Sequence, residues 1–514
     1  MSHTRRDFIR YVVAGSIASG CPIDKALLAA PAASASPLVD GEHFAICHNI
    51  RDQHSYARPD ATQKTDIIII GGGMAGLSAA YFLRGKDWLL LEKEDHFGGN
   101  AFQEEYDGQP FATGAAYDFH GSFSDQLATE IGLHMPLVDM PDPTIDNGHY
   151  VPDTWVTGLD HLPYKKEVVA SFKKFRDDML KIDVRKKILE LDAQPFTDFT
   201  NPYAPEVAKW WDAYGPSNWG ATTEDTSAFI GIFDAQYLIK GEDNTRAILP
   251  GGLGCISHKL VEVMKPKFGD RMLGGATVTS VAQDSDGVRV TYLQGEKLTT
   301  VAAKIAIVAA PKYIASRLVA GLPNDQKQAM HRMRYAPYPV VNMIFDKPVY
   351  NRGYDNWCPG NSFTDFIVAD WTIRNNPSYQ PKHHILSFYT PLRESERSTL
   401  LQEDDCKTLA AKVLTDFQKA LPEFNVDPIE IRIFRRGHPM MMAVPGQYTQ
   451  NRMVASHPMD RIFFANSDSG GPESLSTEAV RISHAASEWA NLVLAGKANA
   501  ANEVAHKALT EFSL

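Results

Sequence analysis

Ile67–Ile70 is apolar at every position, and Gly71-Gly72-Gly73-Met74-Ala75-Gly76 follows at once. An unbroken apolar run of this kind predicts a central parallel strand covered on both faces. Ala75, Leu77, Ala80 and Leu83 then supply small or apolar surface to a helix, and Leu89–Leu91 returns as a second strand ending at Glu92. Farther along, the period changes. From Ala276 to Ala310 apolar and polar residues alternate around Asp286-Gly287, which predicts antiparallel strands joined by a hairpin, then a buried strand at Ile305–Ala309. Helical spacing marks Lys165–Leu191 and Gln402–Leu421, and a glycine turn feeds a helix within Ile248–Met264. Pro339–Tyr350 reads as a strand, and Arg461–Gly471 as a strand running into a polar loop. Ser476–Leu494 is a final helix, with Ser476 or Thr477 as its N-cap.

The glycine turn carries chemistry. In the spacing Gly71-x-Gly73-x-x-Gly76, the first glycine permits a tight turn and the second lets a pyrophosphate approach the backbone. The third lets helix pack on strand. The helix that opens at Met74 and Ala75 offers free N–H groups and a positive dipole end to phosphate. Glu92 lies 21 residues after Gly71, where an acid binds ribose hydroxyls, with Lys93 beside it. Strand, glycines, helix, strand and acid in register predict a dinucleotide site.

A second glycine pair, Gly98-Gly99, comes six residues past Glu92 and is followed by Asn100. This arrangement resembles the flavin amine-oxidase and phytoene-desaturase superfamily, so the resemblance implies FAD rather than NAD. Lys304–Pro311 is similar to that superfamily's returning strand, and Gly251-Gly252 to its glycine pair before a helix. The resemblance implies adenine contact through the backbone at Val278, and a closing block over the ribityl chain and ring at Arg461–Leu494. Within that block it implies roles for Asn466, for Asp468 on a ribityl hydroxyl, and for the helix N-terminus at Ser476. The fold expected is α/β, a Rossmann-like FAD-binding domain interleaved with an α+β substrate-binding domain. Its boundaries are a signal peptide at 1–36, a lead-in at 37–64, and FAD-binding blocks at 65–150, 246–335 and 456–514. The substrate domain takes 151–245 and 336–455.

Phe44–Asp52, Gly437–Met440 and Phe463–Gly471 resemble elements of the bacterial spermidine-dehydrogenase-like flavoproteins. That branch implies a polyamine substrate, and in some members haem b beside FAD. For haem, His48 is the candidate ligand, and the run Met440-Met441-Met442 a source of a thioether. The chemistry implied is hydride transfer from the amine α-carbon to flavin N5. The electron acceptor is dioxygen or a redox partner. Candidates for a catalytic side chain are Lys312, directly after Pro311, with Tyr338 and His438. Trp210, Trp211, Trp219, Tyr335 and Tyr338 are candidates for an aromatic wall favouring a cation, and His120 for a polar pocket group. Competing expectations are a desaturase or isomerase of a lipid-like substrate, and a non-catalytic FAD-stabilised accessory protein.

Composition narrows the setting. The chain has 514 residues and a formal net charge of −11, so a nucleic-acid partner is not expected. Cys21, Cys47, Cys255, Cys358 and Cys406 have neither disulfide-framework nor zinc spacing. Thr4-Arg5-Arg6-Asp7-Phe8-Ile9-Arg10, a short apolar stretch and Ala/Ser-rich sequence to Ser36 predict export by the twin-arginine translocase to the periplasm. Cleavage is expected near Ala33–Ala35, with lipidation at Cys21 as the alternative.

Overall fold

The computed structural model describes residues 36–52, 55–242, 245–374 and 381–510. The twin-arginine stretch, the cleavage region and Cys21 lie outside the described residues. The fold is the mixed α/β arrangement expected, built on a seven-stranded and an eight-stranded sheet.

The seven-stranded sheet holds the glycine turn. Ala61–Ile70 lies at its centre, parallel to Trp88–Leu91 on one side and to Lys297–Val308 on the other. Met272–Leu273 extends the sheet beyond Trp88–Leu91, and Ile462–Phe464 adds in parallel beside Ala306–Val308. Ile67, Ile68 and Ile69 are fully buried, the reason the run is apolar throughout. Ala276–Asp284 and Gly287–Gln294 form the predicted hairpin, which continues antiparallel into Lys297–Val308. The helix Met74–Phe82 covers one face, buried from Met74 to Ala80. The helix Ser476–Leu494 packs on it, and the Ser483 hydroxyl donates to the Ala75 carbonyl at 2.8 Å.

The eight-stranded sheet runs Leu38–Gly41, Glu430–Arg435, Val340–Phe345, His384–Tyr389, Asp365–Val368, Asp355–Trp357, Thr144–Asp146, His149–Val151. Its first strand comes from the segment expected as a polar lead-in, paired in parallel from Leu38↔Arg432 to Gly41↔Arg435. Gly41 has φ +128, and a Cβ there would lie 2.1 Å from the Arg435 carbonyl oxygen, so only glycine fits. A third region, the helices Lys166–Met179, Pro205–Asn218 and Ala228–Ile239, encloses an aromatic core. Among the described residues, no helix is long and apolar enough to cross a membrane.

Two local expectations differ from the structure. The residue capping Ser476–Leu494 is Leu475, with no side-chain cap; Ser476 is already helical. Thr477 Oγ1 instead accepts from the Phe123 amide at 3.0 Å, a tertiary contact in place of a local one.

Candidate active site

Gly71 leaves the central strand at φ +101, and its amide donates to the Leu91 carbonyl. A Cβ on Gly76 would lie 1.8 Å from the Gly71 carbonyl oxygen, so the third glycine is fixed by helix packing against the turn. The second glycine pair folds back on the first: the Gly98 amide donates to Gly72 O at 2.9 Å, and Gly73 bridges Gly98 in parallel. Glu92 clamps the turn from the neighbouring strand. Its Oε2 accepts from the Gly72 amide at 2.5 Å and its Oε1 from the Glu94 amide at 2.9 Å. Burial pushes its carboxyl above the ordinary range, against these two donors. Burial also opposes the charge of Lys93, but Glu42 and Glu94 outweigh it and hold the ammonium above its usual range.

These elements line a cavity of about 1040 Å³. Gly71, Gly73, Met74 and Ala75 line it, with Gly98, Gly99 and Asn100 beside them. Glu92, Lys93, Val278, Asn466, Ser476 and His438 line it as well. The N-termini of both Met74–Phe82 and Ser476–Leu494 therefore meet one cavity. Bare glycine backbone and helix N-terminal amides donate to a dinucleotide's phosphates, and the Glu92 carboxylate beside them accepts hydrogen bonds, so the residues present fit FAD.

Gly76, Asp468, Lys312 and Tyr338 are not among the residues lining this cavity. Asp468 is buried and engaged by the Lys312 amide at 2.8 Å, Lys312 Nζ at 2.6 Å and the Tyr335 hydroxyl at 2.7 Å. Both oxygens of Asp468, where a ribityl contact was expected, are thus engaged by internal bonds. Burial pulls the Lys312 ammonium down while Asp468 pulls it up. Tyr335 does line the cavity. Tyr338 is buried and its hydroxyl is 2.7 Å from Ser217 Oγ. Trp210, Trp211 and Trp219 do not form a substrate wall: they are at most 1% exposed and pack with Trp155, Phe175 and Tyr214. His120 points outward to Asp125, 3.0 Å away.

His438 stacks on Tyr313 with ring centroids 4.5 Å apart. Burial, then Arg397 and His48, push its pKa down to about 3, so it is a neutral imidazole. His48 also lines the cavity. Of the methionine run, Met441 and Met442 are buried in apolar clusters and Met440 is partly buried against one; none lines the cavity. No group of three or more metal-ligating side chains occurs among the described residues.

The lead-in, where the sequence marked Phe44–Asp52 and His48, contributes more of the cavity than was expected of it. Phe44, Cys47, His48 and Arg51 all line the cavity from the helix Ala45–Arg51 and its N-cap. The Glu42 carboxylate accepts from the Gly437 amide at 3.2 Å, and His43 Nδ1 sits 2.5 Å from Glu94. The signal was present: those four residues have the i, i+3, i+4, i+7 spacing of one helix face. It was hidden because the segment is short and otherwise polar.

A sequence model of the flavin containing amine oxidoreductase family matches residues 74–504. Among curated proteins, the chain is 23% identical to the oxidoreductase PigB of a Serratia strain, covering 79% of this chain and 72% of that protein. It is 22% identical to the human flavin-containing amine oxidase B over 79% of this chain and 82% of that one. Protoporphyrinogen oxidase 1 of Arabidopsis thaliana matches 56% of this chain and 60% of its own length at 24% identity. Among solved structures, putrescine oxidase bound to putrescine superposes with a TM-score of 0.66 at 18% identity, covering 83% of this chain and 98% of that one. Cyclohexylamine oxidase from Brevibacterium oxydans gives a TM-score of 0.64 at 18% identity, over 86% and 99%.

Proposed function

The chain belongs to the flavin containing amine oxidoreductases, and we propose that within them it is an exported FAD-dependent amine dehydrogenase or oxidase acting on a polyamine. The observation that carries this reading is the meeting of two helix N-termini, at Met74 and Ser476, on one glycine-lined cavity. FAD held there supplies the acceptor for a hydride from the carbon next to the amine. The protein's own part is binding and electrostatics. The Met74 helix and the Gly71–Gly73 backbone hold phosphate, while the Ser476 helix favours negative charge at its end of the cavity.

Support for a cationic substrate comes from Tyr313 and Tyr335, which both line the cavity, with ring centroids 4.9 Å apart. Aromatic faces favour an ammonium on approach. Lys312 is committed to Asp468, so no proton-transfer role is assigned to it. Putrescine and cyclohexylamine oxidases share the fold, which agrees with an amine donor.

The test is an absorption spectrum of the purified protein before and after anaerobic addition of a panel of polyamines and simple amines. Bleaching of the flavin band near ~450 nm by a polyamine supports the reading, because reduction occurs at the cofactor itself. Oxygen uptake on air admission would separate an oxidase from a dehydrogenase using a redox partner. A second reading, oxidation or desaturation of a bulky apolar substrate, draws on the likeness to protoporphyrinogen oxidase. Flavin bands that no amine bleaches would turn the assignment towards it.

A further inference from the structure

Among the described residues, Arg436 is a buried cation with no carboxylate partner. It is 6% exposed and lies just past the strand Glu430–Arg435. Its Nη1 donates to the Thr113 carbonyl, and its Nη2 to Thr113 Oγ1 at 2.8 Å. A guanidinium has five N–H donors, so these two oxygens leave most of its capacity open. The other buried arginines are met differently. Arg246 reaches Asp142 at 2.6 Å and Asp355 at 2.9 Å. Arg452 donates to the carbonyls of Tyr448, Ser469, Gly470 and Leu509. Near Arg436, Glu42 and Asp40 act only through space, and burial pulls its pKa down despite them.

The open space beside Arg436 is the cofactor cavity, which it lines. A Cβ on Gly114 would lie 3.6 Å from Nη1, so the guanidinium sits against the Gly114–Ala115 backbone at the cavity wall. Its segment stretches between two cofactor-facing loops. Asn100 Nδ2 donates to the Pro439 carbonyl at 3.0 Å, and the Met441 amide donates to Ser474 Oγ at 3.1 Å. A desolvated guanidinium left without an anion is costly, and the described residues supply none in contact.

We propose that Arg436 is the countercharge of the bound flavin nucleotide, its free N–H groups meeting an anionic group of the cofactor. The inference rests on the FAD reading above. Two groups of FAD share the required chemistry: the pyrophosphate, and the N1–C2=O edge that gains charge on reduction. Arginine suits either, because its planar fork binds oxyanions in pairs of bonds and stays charged when desolvated.

The test uses the holoprotein and its R436Q and R436K variants. Three quantities are read: FAD release by fluorescence, the flavin midpoint potential, and affinity for sulfite, which adds to the ring and places charge there. If Arg436 meets the pyrophosphate, R436Q releases FAD about tenfold faster or more, since a charge-assisted bond is lost, with the potential unchanged. If it meets the ring, R436Q keeps FAD but its potential falls by about 30 mV, the equivalent of a tenfold loss for a two-electron couple, and sulfite binding weakens likewise. In either case R436K, which keeps the charge, recovers much of the loss. An R436Q holoprotein unchanged in all three quantities overturns the inference while leaving the FAD reading intact. Should R436Q not fold, the Arg436 Nε–H signal of the wild-type protein decides, assigned by its loss in R436K. FAD binding should shift that signal and slow its exchange with water; an unmoved signal overturns the inference. A chain that takes up no flavin overturns the cofactor reading as well.

Discussion

Lys312 and Asp468 form an ion pair with both side chains sealed from water: Nζ lies 2.6 Å from Oδ1, and the two are 0% and 1% exposed. The Lys312 amide and the Tyr335 hydroxyl take the other carboxylate oxygen. The pair pins the loop after Ile462–Phe464 to the end of the returning strand Lys297–Val308, and that loop brings Asn466 and Ser467 to the cavity. The pair therefore holds that stretch of backbone in place at the cavity wall.

Replacing one partner leaves the other charge buried and uncompensated. Asp468→Asn should lower stability by about 3–5 kcal/mol, and the double variant Lys312→Met with Asp468→Asn should recover much of it, because an apolar replacement removes the stranded charge. Urea unfolding of the proteins checks this, with flavin content measured alongside. A single variant as stable as wild type would remove the pair from the account of loop placement.

The glycine turn offers a sharp contrast between positions. Gly76→Ala would place a methyl carbon 1.8 Å from the Gly71 carbonyl oxygen, whereas a Cβ on Gly85 meets nothing within 4 Å. Gly76→Ala should displace the helix from the strand and yield protein stripped of flavin. Gly85→Ala should retain a wild-type ratio of flavin to protein absorbance. Equal flavin content in the two would show that the turn tolerates displacement.

What was legible in the sequence is what is local. Asp66 to Gly99 is one contiguous unit whose strand, turn, helix, strand and acid have fixed spacings, so pattern alone places Gly71, Gly73 and Glu92 together. Leu38–Gly41 was not legible as a strand, because its partner Glu430–Arg435 lies at the other end of the chain and its four residues carry no clear alternation. Arg436 was hidden for a related reason. Its meaning depends on the absence of a contacting carboxylate among the described residues, a property of three-dimensional surroundings. Trp210, Trp211 and Trp219 show the limit for aromatics: the same side chains that could frame an ammonium also fill cores, and here they are core.

The Glu92 carboxylate accepts one N–H on each oxygen, from Gly72 and from Glu94. Glu92→Gln keeps the shape but turns one acceptor into a donor facing another donor. A buried unmatched polar group costs about 1–3 kcal/mol, so the turn should loosen and FAD affinity should fall by about tenfold or more. Fluorescence titration of the apoprotein with FAD measures the change. Undiminished affinity would mean that the glycine turn holds its shape without the clamp.

The lead-in can be released by one substitution. Gly41→Val would drive a side chain into the Arg435 backbone, breaking the parallel pairing that anchors Leu38–Gly41 and the cavity-lining helix behind it. Faster FAD release and new protease cleavage between residues 38 and 51 are expected. Unaltered release, with the segment cleaved, would show that the helix Ala45–Arg51 contributes nothing to holding the cofactor.

His438 should give stability a distinctive pH dependence. In the folded protein its pKa is pushed down to about 3 by burial, then by Arg397 and His48. In the unfolded chain it returns to about 6.5. Between those values the unfolded chain binds a proton that the folded protein refuses, so acid favours unfolding. The contribution is fully present above about pH 6.5 and is lost progressively as pH falls towards about 3, with a slope approaching about 1.4 kcal/mol per pH unit for one whole proton. Carboxylates add their own acid dependence, so the informative quantity is a difference between two proteins. His438→Gln cannot take up the proton in either state, and its stability should decline less steeply with acid. Urea midpoints at about pH 7 and about pH 4.5 for both proteins provide the comparison. A gap between wild type and variant that does not change with pH would mean that the imidazole is freely protonated beside Tyr313, and that the cavity is wetter at this end than its geometry indicates.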